Sequence, residues 1–111
     1  MLFPFAEKAF IDDKKLVGYC LSETHITDKH KARVFKAALG ITADNYLILK
    51  EAISTAVLIE DATFSGANAQ GELYVVDFIL TYKARQASIR SAWIIHFGES
   101  FPRLVSCYVN E

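Results

Sequence analysis

An α+β fold is predicted by this sequence, with about three N-terminal helices packed on a C-terminal antiparallel β-meander of three to four strands. Three observations lead there. Apolar residues recur at helical spacing as far as Val57, the period becomes two after Gly71, and the loops between the period-two runs are short enough for hairpins. The chain has 111 residues and is 52% apolar, which makes residues 1–111 a single domain with a real core and sets it apart from disordered sequences.

The helical half reads in order as follows. Leu2 to Ile11 is expected to be extended, because Pro4 disfavours an early helix, and Phe3, Phe5 and Phe10 are candidate anchors on the core. A first helix follows from about Asp13 to Leu21, capped by Asp12, with Leu16, Val17, Tyr19 and Cys20 forming most of its apolar side. Ser22–Thr27 is a polar loop carrying His25. A second helix is expected from Lys29 to Leu39, entered through Asp28 and closed by Gly40, where glycine takes the left-handed conformation at little cost. Thr42 opens a third, reaching about Val57 and burying Tyr46, Leu47, Leu49, Ile53 and Val57. Residues 60–71 are rich in Ala, Gly, Asn and Ser, and Ala62–Ser65 is a candidate edge strand.

Three strands carry the second half. Leu73–Tyr82 sets Tyr74, Val76, Phe78, Leu80 and Tyr82 on one face. Ser88–Phe97 sets Ile89, Trp93, Ile95 and Phe97 on one face, and Arg103–Val109 does the same with Val105, Cys107 and Val109. A four-residue loop at Lys83–Gln86 would pair Val76 with Trp93, and a five-residue loop at Gly98–Pro102 would pair Trp93 with Cys107. By parity all three apolar sets then share the face that the helices cover. The opposite face holds Asp77, Arg90, His96, Ser106 and Tyr108 among Val75, Ile79, Ala92 and Ile94.

Charge and cysteines narrow the function. The net charge of −1 supplies no global basic field for nucleic acid, so any polyanion must be held locally. Cys20 and Cys107 show no metal spacing and read as reduced core thiols of a cytoplasmic protein. The first residues lack the pattern of a signal peptide, and no apolar run approaches membrane-spanning length, so no membrane partner is expected. The acids are scattered, so neither a metal nor another cofactor is expected.

The chemistry concentrates in the first turn of the second helix, which carries Lys29, His30, Lys31 and Arg33. Cations there oppose the helix dipole, yet together with free N–H groups they suit a phosphate or carboxylate. On the helical wheel Lys29, Arg33 and Lys36 share the solvent arc and Val34, Phe35, Ala38 and Leu39 the core arc. Lys31 falls inside the apolar arc and His30 on its border. A lysine stem lying along apolar surface explains Lys31 without function; an ammonium at the mouth of a groove between helix and sheet is the functional alternative.

The run D-K-H-K-A-R-V-F-K-A-A-L-G, then L-Y-V-V-D-F-I-L, S-I-R-S-A-W-I-I and F-P-R-L-V-S-C-Y, resembles a family of small uncharacterised bacterial domains found alone and at the ends of phage-like or toxin-like proteins. The layout is also distantly similar to the barnase/EndoU/colicin/RelE-like group of metal-independent ribonuclease toxins. The first resemblance puts the helix motif on His30, Lys31 and Arg33 with a loop histidine at His25. It puts the sheet motif on Arg90 and Trp93, and the last motif on Arg103, Ser106 and Tyr108. The second implies RNA cleavage by general acid–base chemistry. His25 and His30 are the candidate base and acid, Lys31 and Arg90 the phosphate clamps, and Arg33, Ser106 and Tyr108 the substrate-binding groups. The partner is then RNA or another phosphodiester. A non-catalytic module, binding or neutralising a cognate protein through a strand edge or the basic helix face, is the alternative.

Overall fold

The structure is a computed structural model of the chain and describes residues 1–22 and 29–110. The order is helices first, then strands: α1 (Asp13–Lys15) with a π turn (Leu16–Cys20), α2 (Lys29–Leu39), α3 (Tyr46–Ile59), then β1 (Ala62–Ala67), β2 (Gly71–Tyr82), β3 (Arg85–His96) and β4 (Arg103–Val109). The four strands form one antiparallel sheet in chain order. The π turn packs on β4, α2 on β3 and β4, and α3 on β2.

The N-terminal segment is not extended as expected. Pro4 and Phe5 turn the chain into a 3-10 turn (Ala6–Lys8), and only Phe3 among the three phenylalanines is buried. Asp12 caps α1 by accepting from the Lys14 N–H at 2.9 Å. The expected first helix then widens, with the Leu21 N–H donating five residues back to the Leu16 carbonyl at 2.8 Å. That extra residue in the turn brings Leu16, Cys20 and Leu21 inward and leaves Val17 exposed. α2 ends on Gly40 at φ 73°, whose N–H donates to the Lys36 carbonyl at 2.9 Å. Thr42 and Asn45 form a reciprocal capping box ahead of α3. Leu49, Ile53, Ala56 and Val57 are the buried stripe of α3. Leu47 is 54% exposed, because it lies two residues before Leu49 and so on the opposite side of the helix.

The sheet differs from the expected register in an instructive way. A two-residue turn at Lys83 and Ala84, with φ of 48° and 67°, replaces the four-residue loop. Tyr82 therefore pairs with Arg85, Val76 with Ser91, and Tyr74 with Trp93. The shift is two residues, an even number, so the paired side chains of β2 and β3 keep their predicted faces. Between β3 and β4 a bulge intervenes. Ala92 faces Ser106 but Trp93 faces Leu104, so Val105 is an extra residue that is turned outward while Leu104 takes its place in the core. Phe97, expected inside, lies past the end of β3 and is exposed.

Trp93 is fully buried at the centre of the core, its indole N–H donating to the Ser91 Oγ at 2.8 Å. Ser91 in turn donates to the Val76 carbonyl at 2.8 Å, so this buried hydroxyl beside the ring is satisfied within the sheet. The Phe3 ring meets Trp93 edge-on at 6.0 Å, an arrangement worth about 0.5–1.5 kcal/mol beyond area burial.

The outer edge of β4 is closed from the helical side. Phe10 bridges it, accepting from the Leu104 N–H at 2.9 Å and donating to the Pro102 carbonyl at 2.9 Å. Further along, the Cys107 N–H donates to the Cys20 Sγ at 3.3 Å. At the other edge the Ala62 N–H donates to the Met1 carbonyl. Both devices occupy groups that would otherwise template another strand.

Candidate functional site

The closure of the β4 edge brings helix and sheet chemistry together. The π turn supplies Tyr19 and Cys20, the first turn of α2 supplies Lys31, and β4 supplies Ser106, Cys107 and Tyr108. Lys31 lies in the apolar arc of α2, as the wheel requires, and its half-buried stem runs toward the β4 edge. Its Nζ donates to the Ser106 Oγ at 3.4 Å and stands 5.2 Å from the centre of the Tyr108 ring and 5.8 Å from that of Tyr19. Two aromatic faces on one ammonium hold it by cation–π attraction, about 0.5–1 kcal/mol at exposed positions and more when water is excluded.

Ser106 and Tyr108 are available to Lys31 because they alternate with Cys107. Cys107 turns to the core, and its two neighbours turn to the opposite face at the strand edge. Across the sheet Tyr108 pairs with Arg90, and Arg90 with Asp77. The guanidinium binds Asp77 through Nε and Nη2, both at 2.9 Å, and a hydrogen bond that it donates to the Tyr108 oxygen adds to the stabilisation of its charge. The Arg90 hydrogen bond is the main reason that the Asp77 carboxyl is held below the ordinary carboxylate range; burial opposes it.

Beneath Lys31 sit two free thiols, both buried. A hydrogen bond from Cys107 is the largest influence on Cys20 and, against the opposing effect of burial, lowers its pKa to about 7. The Cys107 N–H, the Ser106 hydroxyl and the Lys31 charge add to the lowering. Cys107, which shares its proton with Cys20 in a buried position, is pushed well above its ordinary value. The Cys20 Sγ lies 3.9 Å from the Ser106 Oγ. Lys31, Ser106 and Cys20 thus form one polar chain from the surface into the core, and among the described residues no buried side-chain nitrogen or oxygen lacks a partner.

The remaining predicted residues lie elsewhere. His30 and Arg33 are exposed and line a shallow hollow with Val34, Ala37 and Ala38, one turn of helix apart on the outer side of α2. His25 lies outside the described residues, as do the expected cap Asp28 and most of the loop Ser22–Thr27. Arg103 binds Glu99 through Nε and Nη2 at 2.9 Å each, between the Phe10 and Phe101 rings, away from Lys31. The structure therefore gathers Lys31, Ser106, Tyr108 and Arg90, and sets His30 and Arg33 on a separate surface. Tyr19, Cys20 and Cys107 were missed as site residues because no spacing in the sequence joins positions that meet only through space. Among the described residues no three His, Cys, Asp or Glu side chains gather where they could hold a metal.

The family model described as Domain of unknown function (DUF6883) matches residues 2–111. The chain belongs to that family. No curated protein and no solved structure gives a significant match. In this DUF6883 domain the Lys31 cluster and the sheet that carries it both fall within the matched span, and no helix among the described residues is long and apolar enough to cross a membrane.

Proposed function

We propose that this domain binds RNA phosphate at the β4 edge and cleaves RNA by metal-independent general acid–base chemistry. One observation supports the reading most: Lys31 from the helical half and Ser106, Tyr108 and Arg90 from the sheet meet at one edge. A phosphate entering there meets an ammonium and two hydroxyl donors, with a guanidinium behind them, which are the groups that stabilise a phosphorane-like transition state. The Tyr108 ring offers a face on which a base can stack. Histidine is the side chain suited to acid–base work near neutral pH, so His25 and His30 are the candidate base and acid of this proposal; His30 lies on the outer side of α2, and its part requires the RNA to reach from the β4 edge to that surface. The test is incubation of the pure protein with RNA and with its 2′-deoxy counterpart in EDTA. RNA alone should be cleaved, and His30→Ala should lower the rate by about 10²–10⁴-fold. An unchanged rate in that variant removes His30 from the chemistry.

A second reading, a module that binds or neutralises a protein partner, is favoured by a different observation. His30 and Arg33 share a hollow that includes none of the Lys31 cluster, and Arg90 commits two donors to Asp77. Absence of cleavage in either substrate, with a specific protein complex formed through the α2 surface, is the outcome that selects it.

A further inference from the structure

The sheet has a second edge that the β4 site does not use. β1 pairs with β2 only as far as Val76, so β2 runs on through residues 77–82 with β3 on one side alone. The two-residue turn makes Tyr82 and Arg85 a hydrogen-bonded pair, and Leu80 and Phe78 follow at alternate positions. The N–H and C=O groups of Ile79 and Thr81 therefore point off the sheet, and among the described residues nothing bonds them on that side. The stretch is roughly 20 Å long at ~3.3 Å per residue.

A groove of about 360 Å³ runs along this edge between β2 and α3. Phe78 and Leu80 form its floor, Ile48 and Ile59 its apolar wall, and Glu51 and Glu60 its charged rim; no lysine, arginine or histidine lines it. Ile59 is 66% exposed and Ile79 59% exposed, so large apolar side chains flank the free backbone on both faces of the sheet. A helix and an edge strand enclosing a groove is the geometry in which extended peptides add to sheets, with main-chain bonds giving affinity and alternate side chains giving selectivity.

We propose that residues 77–82 of β2 receive an extended segment of a partner protein as an added strand. That segment carries apolar side chains at alternate positions on the face turned to α3, and lysine or arginine where it passes Glu51 and Glu60. Charge selects this occupant over a second copy, because a two-fold pairing of β2 edges brings the same glutamates of both copies to one seam. The surface lies across the sheet from the β4 edge and stands independently of the RNA reading.

The experiment uses two fluorescent peptides as probes, each a seven-residue alternation of valine and threonine, one flanked by lysines and the other by glutamates. Anisotropy measures binding, and amide shifts of Ile79 and Thr81 locate it. The lysine-flanked peptide should bind and move both amides. Ile79→Pro deletes one outward donor without touching a bond to β3, and should weaken binding about tenfold. Should that variant fail to fold, Glu51→Lys with Glu60→Lys carries the test, since it should transfer the preference to the glutamate-flanked peptide. Equal binding of both peptides to the unaltered protein, unmoved Ile79 and Thr81 amides, or undiminished binding by a folded Ile79→Pro would overturn the proposal. A concentration-dependent dimer abolished by Ile79→Pro would overturn it in favour of a second copy.

Discussion

The Lys31 ammonium stands 5.2 Å over the Tyr108 ring, although one residue belongs to the first turn of a helix and the other to the last strand of the sheet. The contact is possible because the helical layer reaches the β4 edge, where the π turn donates the sulfur that accepts the Cys107 N–H. Lys31 is thus held by a hydroxyl and two rings while remaining half-buried. Its charge is placed, with the Ser106 hydroxyl oxygen accepting from it and two ring faces beside it. This arrangement generates the first test.

An anion held by Lys31 should stabilise the fold by mass action, so sulfate or phosphate should raise the melting temperature in a saturable way. Lys31→Met keeps most of the stem against Tyr19 and Tyr108 and removes the charge. It should abolish most of the anion response, whereas Lys36→Met, on the exposed side of α2, should leave it nearly intact. Equal responses in the two variants would reduce the cluster to a structural contact.

If the β4 edge binds RNA as proposed, Asp77 should act as a brake on it. It holds Arg90 through two bonds and cancels its charge at the position where Tyr108 joins the pair. Asp77→Asn retains an acceptor but removes the negative charge. RNA binding should strengthen, and the slope of log affinity against log salt should steepen by about 1 as Arg90 becomes free to meet phosphate. Unchanged affinity and slope would place Arg90 outside the RNA surface.

Much of the fold is legible in the residues themselves. The glycine-closed helix Lys29–Leu39 and the strand Arg103–Val109 have their expected bounds, because a closing glycine and period-two alternation are local signals. The hairpin register was not legible. Lys83 and Ala84 adopt positive φ without glycine or asparagine, so nothing at the turn announced a two-residue loop. The faces survived because an error of two residues preserves parity. The bulge at Val105 was silent for a related reason: an extra residue in an apolar strand changes which of Leu104 and Val105 faces inward, and both are apolar. At the site, Lys31, Ser106 and Tyr108 were legible by type. Cys20 and Cys107 were not, since an apolar strand with cysteine reads as core until its neighbour across space is known.

Trp93 and Ser91 test the core. Trp93→Ala removes a fully buried ring and should cost about 3–5 kcal/mol in denaturant unfolding. Ser91→Ala leaves the indole N–H buried without its acceptor and should cost about 1–3 kcal/mol, far more than deletion of one exposed hydroxyl. A loss well under 1 kcal/mol in the first variant would contradict the burial of the ring.

The buried thiol pair gives the stability a particular dependence on pH. Cys20 is lowered from an ordinary 9.0 to about 7, chiefly because Cys107 donates a hydrogen bond to it. An acid with a lowered pKa is more ionised when folded than when unfolded, so its contribution grows as pH rises from about 7 to about 9 and is lost as pH falls through 7. Cys107 acts in the opposite direction. It keeps its proton when folded, while the unfolded thiol ionises near 9.0, so its contribution is present below that value and falls away above it. Urea midpoints measured across this range should therefore rise, level off near 9 and then decline, and Cys20→Ala should flatten the rise relative to the unaltered protein. Lys31→Met should weaken the rise without removing it, since its charge is the last and smallest of the influences that lower Cys20. Comparison with the variants separates the thiols from the other groups that titrate nearby. A profile in which Cys20→Ala parallels the unaltered protein from pH 7 to 9 would show that the Cys20 thiolate does not form in the folded chain.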